Sequence, residues 1–166
     1  VSAGCEHCYA EKRAYRNAAM GNADYQGLVR KHADGSVNWT GEVRLLYERL
    51  AQPLHWKAPR RVFVDSMSDL FHEQVPEDFI ARVFWRINAT PNHTYQILTK
   101  RPARMAHLLR ADGEISQRYA SGDFGPYTMH RSGWPLPNVW LGVSVEDHHA
   151  ADERIPLLLQ TPAAVR

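Results

Sequence analysis

Arg61-Val62-Phe63-Val64-Asp65 runs into Ser66-Met67-Ser68-Asp69, and a short way on Pro76-Glu77-Asp78 opens a new segment. The first five residues are β-prone and apolar without alternation, which predicts a strand buried on both faces, and its exit is polar. The segment after Pro76 has Pro near the first turn and acids at the positive end of the dipole. Phe79, Ile80, Val83, Phe84 and Ile87 come next at helical spacing, predicting a helix through Asn88.

The strand-helix unit repeats downstream. His93-Thr94-Tyr95-Gln96-Ile97-Leu98-Thr99 predicts a second strand leaving into Lys100-Arg101-Pro102, and Ala103 to Arg110 a helix with Met105, Leu108 and Leu109 inward. A Gly- and Pro-rich stretch over 112–138 reads as a long loop or insertion. Val139-Trp140-Leu141-Gly142-Val143-Ser144-Val145 then predicts a third strand, exiting into Glu146-Asp147. Ala150 to Leu159 reads as helix apart from Pro156, and Ala164-Val165-Arg166 as a new strand starting. This order implies an α/β fold of parallel strands with crossover helices, either part of a barrel or an open doubly wound sheet. The partial, incomplete TIM-like barrel is the favoured form, with 1–166 as a single domain.

Ligands in such folds sit at the carboxyl ends of the strands, where this chain places Asp65, Ser66, Ser68, Asp69, Thr99, Lys100, Arg101, Ser144, Glu146 and Asp147. Asp65 is the foremost ligand-contact candidate, because a carboxylate at the end of a buried strand needs a polar pocket or hydrogen bonds. Ser66, Ser68 and Asp69 could equally cap the helix after the strand. Lys100 could hold a carboxylate by a charge-assisted bond, whereas Arg101 beside Pro102 could serve only a turn. Ser144 and Glu146 alternate on the third strand and so face one side. Trp85, Trp134 and Trp140 are assigned to packing, and His72 and Glu73 to a surface loop.

Upstream, Glu42 to Leu50 reads as a short helix, and Pro53 with Pro59 bounds an extended Leu54-His55-Trp56. Residues 21–41 read as a loop or short hairpin, and Tyr9 to Met20 as a helix ended by Gly21 and Asn22. That helix is preceded by Gly4-Cys5-Glu6-His7-Cys8, which holds both cysteines of the chain. Two thiols three residues apart at the mouth of a helix suit metal ligation or redox work better than core packing.

Hydrophobic residues make up 44% of the 166 and charged residues 23%, the proportions of an ordinary globular domain able to build a core. A net charge of +2 with scattered signs gives no overall attraction to nucleic acid or an anionic membrane. The sequence has no long apolar run and no basic-then-apolar leader, so a cytoplasmic location with reduced thiols is expected. It opens at Val1 without an initiator Met, close to a motif, and reads as a fragment cut at both ends.

Val1-Ser2-Ala3-Gly4-Cys5-Glu6-His7-Cys8-Tyr9-Ala10-Glu11 resembles the cysteine loop of a phage-associated, radical-SAM-like family of uncharacterised proteins. Phe63-Val64-Asp65-Ser66-Met67-Ser68-Asp69-Leu70-Phe71-His72-Glu73, Gln96 to Pro102 and Trp134 to Asp147 are similar to that family's further blocks, in the same order. The resemblance implies a partial α/β barrel holding a [4Fe-4S] cluster on three cysteines, with S-adenosylmethionine (SAM) on the open iron, cleaved reductively so that hydrogen is abstracted from an unidentified substrate. It further implies an electron donor such as a flavodoxin or ferredoxin. Cys5 and Cys8 match two cluster ligands and His7 the position packing near the SAM adenine; beside these matches, Asp65, Ser66, Lys100, Ser144 and Glu146 at the strand exits and Tyr9 next to the loop are the candidate cofactor-binding residues. The family's first cysteine would fall before Val1. Two thiolates cannot anchor a site-differentiated cubane, so this stretch alone is expected to be inactive.

Three other readings compete. Cys5-Glu6-His7-Cys8-Tyr9 also looks like the dithiol of thioredoxin-superfamily oxidoreductases, although such a motif must come after a strand and Val1 to Gly4 is too short to be one. A non-catalytic zinc site would need two of the nine histidines beside Cys5 and Cys8, and their spacing singles out none. A nucleic-acid or protein-binding module would use Lys57, Arg60, Arg61, Lys100, Arg101 and Arg104, against the plainer reading of solvated helix ends and loops.

Overall fold

The computed structural model describes residues 8–121 and 134–166, and the chain divides into two compact units, Val1–Leu46 and Tyr47–Arg166.

In the first unit, helix α1 (Tyr9–Ala19) buries Ala10 and Ala14, one turn apart on one face, and packs on a two-stranded antiparallel hairpin, β1 (Val29–Lys31) and β2 (Val37–Trp39). The helix stops where expected. Gly21, at φ +84°, takes the left-handed conformation, and the N–H groups of Gly21 and Asn22 close back on the carbonyls of Ala18 and Asn17. The hairpin fits the loop-or-hairpin reading of 21–41. Its turn is built by Asp34, whose carboxylate accepts from the Ser36 N–H and hydroxyl at 2.9 and 2.7 Å. Glu11 accepts a bond from the Trp39 N–H, tying helix to hairpin.

The second unit carries a three-stranded parallel sheet in the order β3 (Arg61–Val64), β4 (Thr94–Thr99), β5 (Val139–Val143). Each strand neighbours the next in sequence, and Val165 forms a parallel bridge to Trp140, which fits the reading of Ala164-Val165-Arg166 as a strand start. Helices α2 (Glu77–Asn88), α3 (Pro102–Leu109), α4 (Glu114–Ser121) and α5 (His148–Gln160) complete the α/β alternation. α2 touches α4, α4 touches α3 and α3 touches α5, so the helices form a continuous layer. Ile80, Phe84, Ile87, Met105, Leu108 and Leu109 from this layer are buried together with Tyr95, Ile97, Val139 and Leu141 of the sheet. The strands form an open parallel sheet among the described residues, not a closed barrel.

Paired residues of a parallel ladder point to the same side, so Arg61, Phe63, Gln96, Leu98, Trp140 and Gly142 share the other face. That face is open. Phe63 is 50% exposed and Leu98 38%, which corrects the expectation that Arg61–Asp65 is buried on both sides. Among the described residues β3 is an edge strand, and its lack of alternation reflects one apolar residue looking outward, not a second covering layer.

Three smaller corrections concern element types and bounds. The segment expected as a helix over Glu42–Leu50 is a 3-10 helix at Tyr47–His55, which runs through Pro53 and takes in Leu54 and His55, expected to be extended. The third strand ends at Val143 rather than Val145. The stretch 112–138 contains α4, held by the Ser116 hydroxyl on the carbonyl of Gly113; 122–133 lie outside the described residues. α5 accommodates Pro156 and has Asp147 as its N-cap, whose carboxylate accepts from the Ala150 N–H at 2.7 Å.

At the amino ends of the strands a polar knot fixes the register. His93, 1% exposed, accepts from the Arg60 N–H at Nδ1 and meets the Pro53 carbonyl with Nε2, so the ring is held as the Nε2–H tautomer. Asn138 donates its amide to the carbonyls of Ile87 and His93, binding the end of α2 to the start of β5. Tyr95 and Thr90 share a 2.6 Å hydroxyl bond, and burial pushes the Tyr95 phenol above its ordinary pKa.

Candidate functional site at the carboxyl ends of the strands

β3, β4 and β5 all deliver polar residues to one edge. β3 ends on Asp65, a non-glycine residue at φ +59°, a conformation that Asp tolerates better than most residues and that turns the chain sharply off the strand. The residue as a whole is exposed, but its carboxyl group is crowded by protein: desolvation raises its pKa, the Ser68 hydroxyl bond pulls it down, and neighbouring Asp69 raises it further.

Asp69 is the hub of the edge. Its Oδ1 accepts from the Thr99 hydroxyl at 2.7 Å and the Phe71 N–H at 3.0 Å, and its Oδ2 from the Lys100 N–H at 3.0 Å and the Arg101 guanidinium at 3.1 Å. A carboxylate with four donors is a brace between the loop after β3 and the end of β4. Asp69 therefore does not cap the helix after the strand, since α2 starts at Glu77 with Pro76 at its N-cap; one of its bonds, to Phe71, is local within the loop and the other three cross thirty residues of sequence. Arg104 of α3 reinforces the same loop by donating to the carbonyls of Phe71, His72 and Val75. His72 sits on this loop with Nδ1 accepting from the Gln74 N–H; burial, then the Arg101 charge, hold its pKa below the usual histidine value, against the opposing pull of Glu73 and Asp69.

Lys100 and Glu146, chosen separately from the sequence, are brought together. Lys100 Nζ lies 2.6 Å from Glu146 Oε1, and Arg154 reaches back from α5 to Glu146 Oε2 at 2.7 Å and to the Ser144 carbonyl at 2.7 Å. Ser144 in turn donates its N–H to the Thr99 carbonyl, extending the ladder by one bond past β5. One carboxylate thus stands between two cations, with Glu146 and Arg154 side chains only 16% and 12% exposed. Ser66 stands beside Asp65 at the β3 exit. Arg154 was missed in the sequence because it acts from a helix on a distant strand exit, with no local spacing to announce it, and Arg104, singled out there only as a possible binding-surface cation, instead braces the loop after β3.

The cysteine loop belongs to the other unit. Cys8 is the N-cap residue of α1, in extended conformation, half-buried, with a free thiol that makes no capping bond, and Tyr9 begins the helix, 64% exposed. A free sulfur at a helix N-cap is in kind a suitable ligand for an iron-sulfur cluster. Cys5 and His7 lie outside the described residues. Among the described residues no three His, Cys, Asp or Glu side chains gather as a metal site, and no helix is long and apolar enough to cross a membrane.

No curated protein matches this chain, and no solved structure does. A family model described as "Protein of unknown function (DUF5131)" matches residues 1–166, and the chain belongs to that family.

Proposed function

We propose that this chain is part of a radical SAM enzyme, in which Cys5 and Cys8 are ligands of a [4Fe-4S] cluster completed by a ligand from outside Val1–Arg166. His7 and Tyr9 are assigned to the cofactor on that side, and Asp65, Ser66, Lys100, Ser144 and Glu146 to SAM at the carboxyl edge of a partial barrel begun by β3 to β5. When bound, the cluster supplies reductive cleavage of SAM and hydrogen abstraction from the substrate, with a flavodoxin or ferredoxin as electron source.

The observation that carries this reading is the Lys100–Glu146–Arg154 series. The aminoacyl end of SAM is zwitterionic. A Lys100–Glu146 pair at 2.6 Å can open to place Lys100 Nζ on the ligand carboxylate and Glu146 Oε1 on its ammonium, exchanging one ion pair for two. Arg154 keeps Glu146 oriented throughout through the second oxygen, at 2.7 Å. The Asp69 brace fixes the backbone from which Lys100 projects.

Anaerobic reconstitution of the full-length protein tests both halves. Iron and sulfide in cluster proportion with visible charge-transfer absorption are expected, lost in Cys8→Ser. Glu146→Gln is expected to keep the iron and to weaken SAM binding about tenfold, the loss of one charge-assisted bond. A protein that stays colourless and iron-free with reduced thiols would end the proposal.

A further inference from the structure

Six cations stood out in the sequence as a possible binding surface, and the fold separates them into two sets. Lys100 and Arg101 are paired with Glu146 and Asp69, and Arg104 is spent on three carbonyls. Lys57, Arg60 and Arg61 are exposed, and among the described residues none of them is paired with a carboxylate. Their surroundings are aromatic instead. The Arg60 guanidinium lies over the Trp56 ring at 4.7 Å, and Arg61 reaches across the open sheet face to lie over Trp140 at 5.5 Å.

Phe63 continues the row begun by Arg61. It comes after Arg61 on the same face of β3, half its surface in solvent, beside Gln96 and with exposed Leu98 further along the same face of β4. A basic stretch leading onto an exposed phenyl ring, half-buried indoles and guanidinium groups matches what a single-stranded polynucleotide needs: cations for phosphates, planes for bases. Contact with the indoles restrains both guanidinium groups before any ligand arrives, which lowers the ordering cost of binding.

From this juxtaposition we infer that the exposed face of the β3–β4–β5 sheet, lined by Arg61, Phe63 and Trp140 and approached from the amino ends of the strands over Lys57, Arg60 and Trp56, is a docking surface for single-stranded nucleic acid. The inference goes beyond the radical SAM reading and does not depend on it, because the surface needs no cofactor.

Fluorescence anisotropy of labelled mixed-sequence single-stranded oligonucleotides with the full chain tests it, over a range of salt. Three phosphate contacts give a slope of log affinity against log salt of about −2, and Arg60→Gln is expected to lower it by about 0.7. Phe63→Leu, conservative and at an exposed site, is expected to weaken binding about tenfold at constant slope through loss of one stacking plane. Arg61→Lys keeps the charge but not the planar stack and is expected to lose affinity with the slope intact. Far-UV circular dichroism checks that each variant is folded. Absence of binding at low salt would overturn the inference. So would equal binding of duplex DNA with no effect of Phe63→Leu, or equal competition by polyglutamate, since either marks a general polyanion surface or one for acidic proteins.

Discussion

Replacing Asp69 by Asn separates a brace from a ligand contact, because the change alters one oxygen and leaves the shape. Asn keeps an oxygen for the Thr99 hydroxyl and the Phe71 N–H, and turns Oδ2 into an amide that faces two further donors, the Lys100 N–H and the Arg101 guanidinium. Losing a buried N–H bond to a charged acceptor costs about 1.5–2 kcal/mol. The pair with Arg101, whose side chain is 29% exposed, adds about 0.5–1 kcal/mol after screening. Asp69→Asn should therefore cost about 2–3 kcal/mol, or about 4–12 °C in Tm for a chain of this size. Asp69→Ala loses all four bonds and should cost about 4–6 kcal/mol, close to the whole stability of a marginal domain, so Asn is the informative variant. Asp65→Asn is the control. Desolvation holds the folded-state pKa of Asp65 above 3.8, so its charge opposes folding at neutral pH and is relieved as pH falls through the folded value. Asn also accepts positive φ well, and Asp65→Asn should be neutral or stabilising. Urea unfolding at neutral pH reads both. A loss below about 0.5 kcal/mol for Asp69→Asn, or equal losses at the two positions, would refute Asp69 as the brace of this edge.

His72 should make the loop after β3 sensitive to acid. Its folded-state pKa lies below 6.5, so the neutral ring's contribution is present above 6.5 and is lost as pH falls toward the folded value, when Nδ1 can no longer accept from Gln74. Hydrogen exchange at the Gln74 amide should accelerate over that window, and the pH dependence should disappear in His72→Gln. Two glycines should differ sharply. A Cβ at Gly113 would lie 2.5 Å from the carbonyl oxygens of His107 and Leu108, and Gly113→Ala should cost about 3 kcal/mol. A Cβ at Gly142 would meet only the end of the Leu98 side chain, at 2.9 Å, and Gly142→Ala should cost under about 1 kcal/mol in the same unfolding assay. A double-mutant cycle on Glu146→Gln and Arg154→Met should give a coupling of about 1–3 kcal/mol, since both side chains are largely buried; a value near zero would show that Arg154 does not hold Glu146.

Periodicity and punctuation carried the architecture, because they are local. Pro76 with Glu77 and Asp78 marks the start of α2, Gly21 the end of α1, and the alternation of strand and helix the parallel sheet, each legible from residues a few positions apart. Burial on the second face of β3 was not legible. Arg61-Val62-Phe63-Val64 is as apolar as a central strand, and only topology reveals that β3 is an edge with Phe63 in solvent. The turn of 3-10 helix through Pro53 was hidden for a different reason: proline punctuation announces a break in an α-helix, but a tighter turn can accommodate it.

The charged residues show the same limit at longer range. Lys100 and Arg61 look alike in sequence, each a cation next to a second one and close to a strand end. What distinguishes them is the partner across the fold: Glu146, forty-six positions from Lys100, against the Trp140 ring for Arg61. A cation held by a carboxylate must give up that partner before it can bind a ligand, whereas one stacked on an indole keeps its donors outward at no such cost. On the two proposals made above, the carboxyl edge would take a ligand that carries its own pair of opposite charges, and the exposed sheet face one that carries negative charge alone.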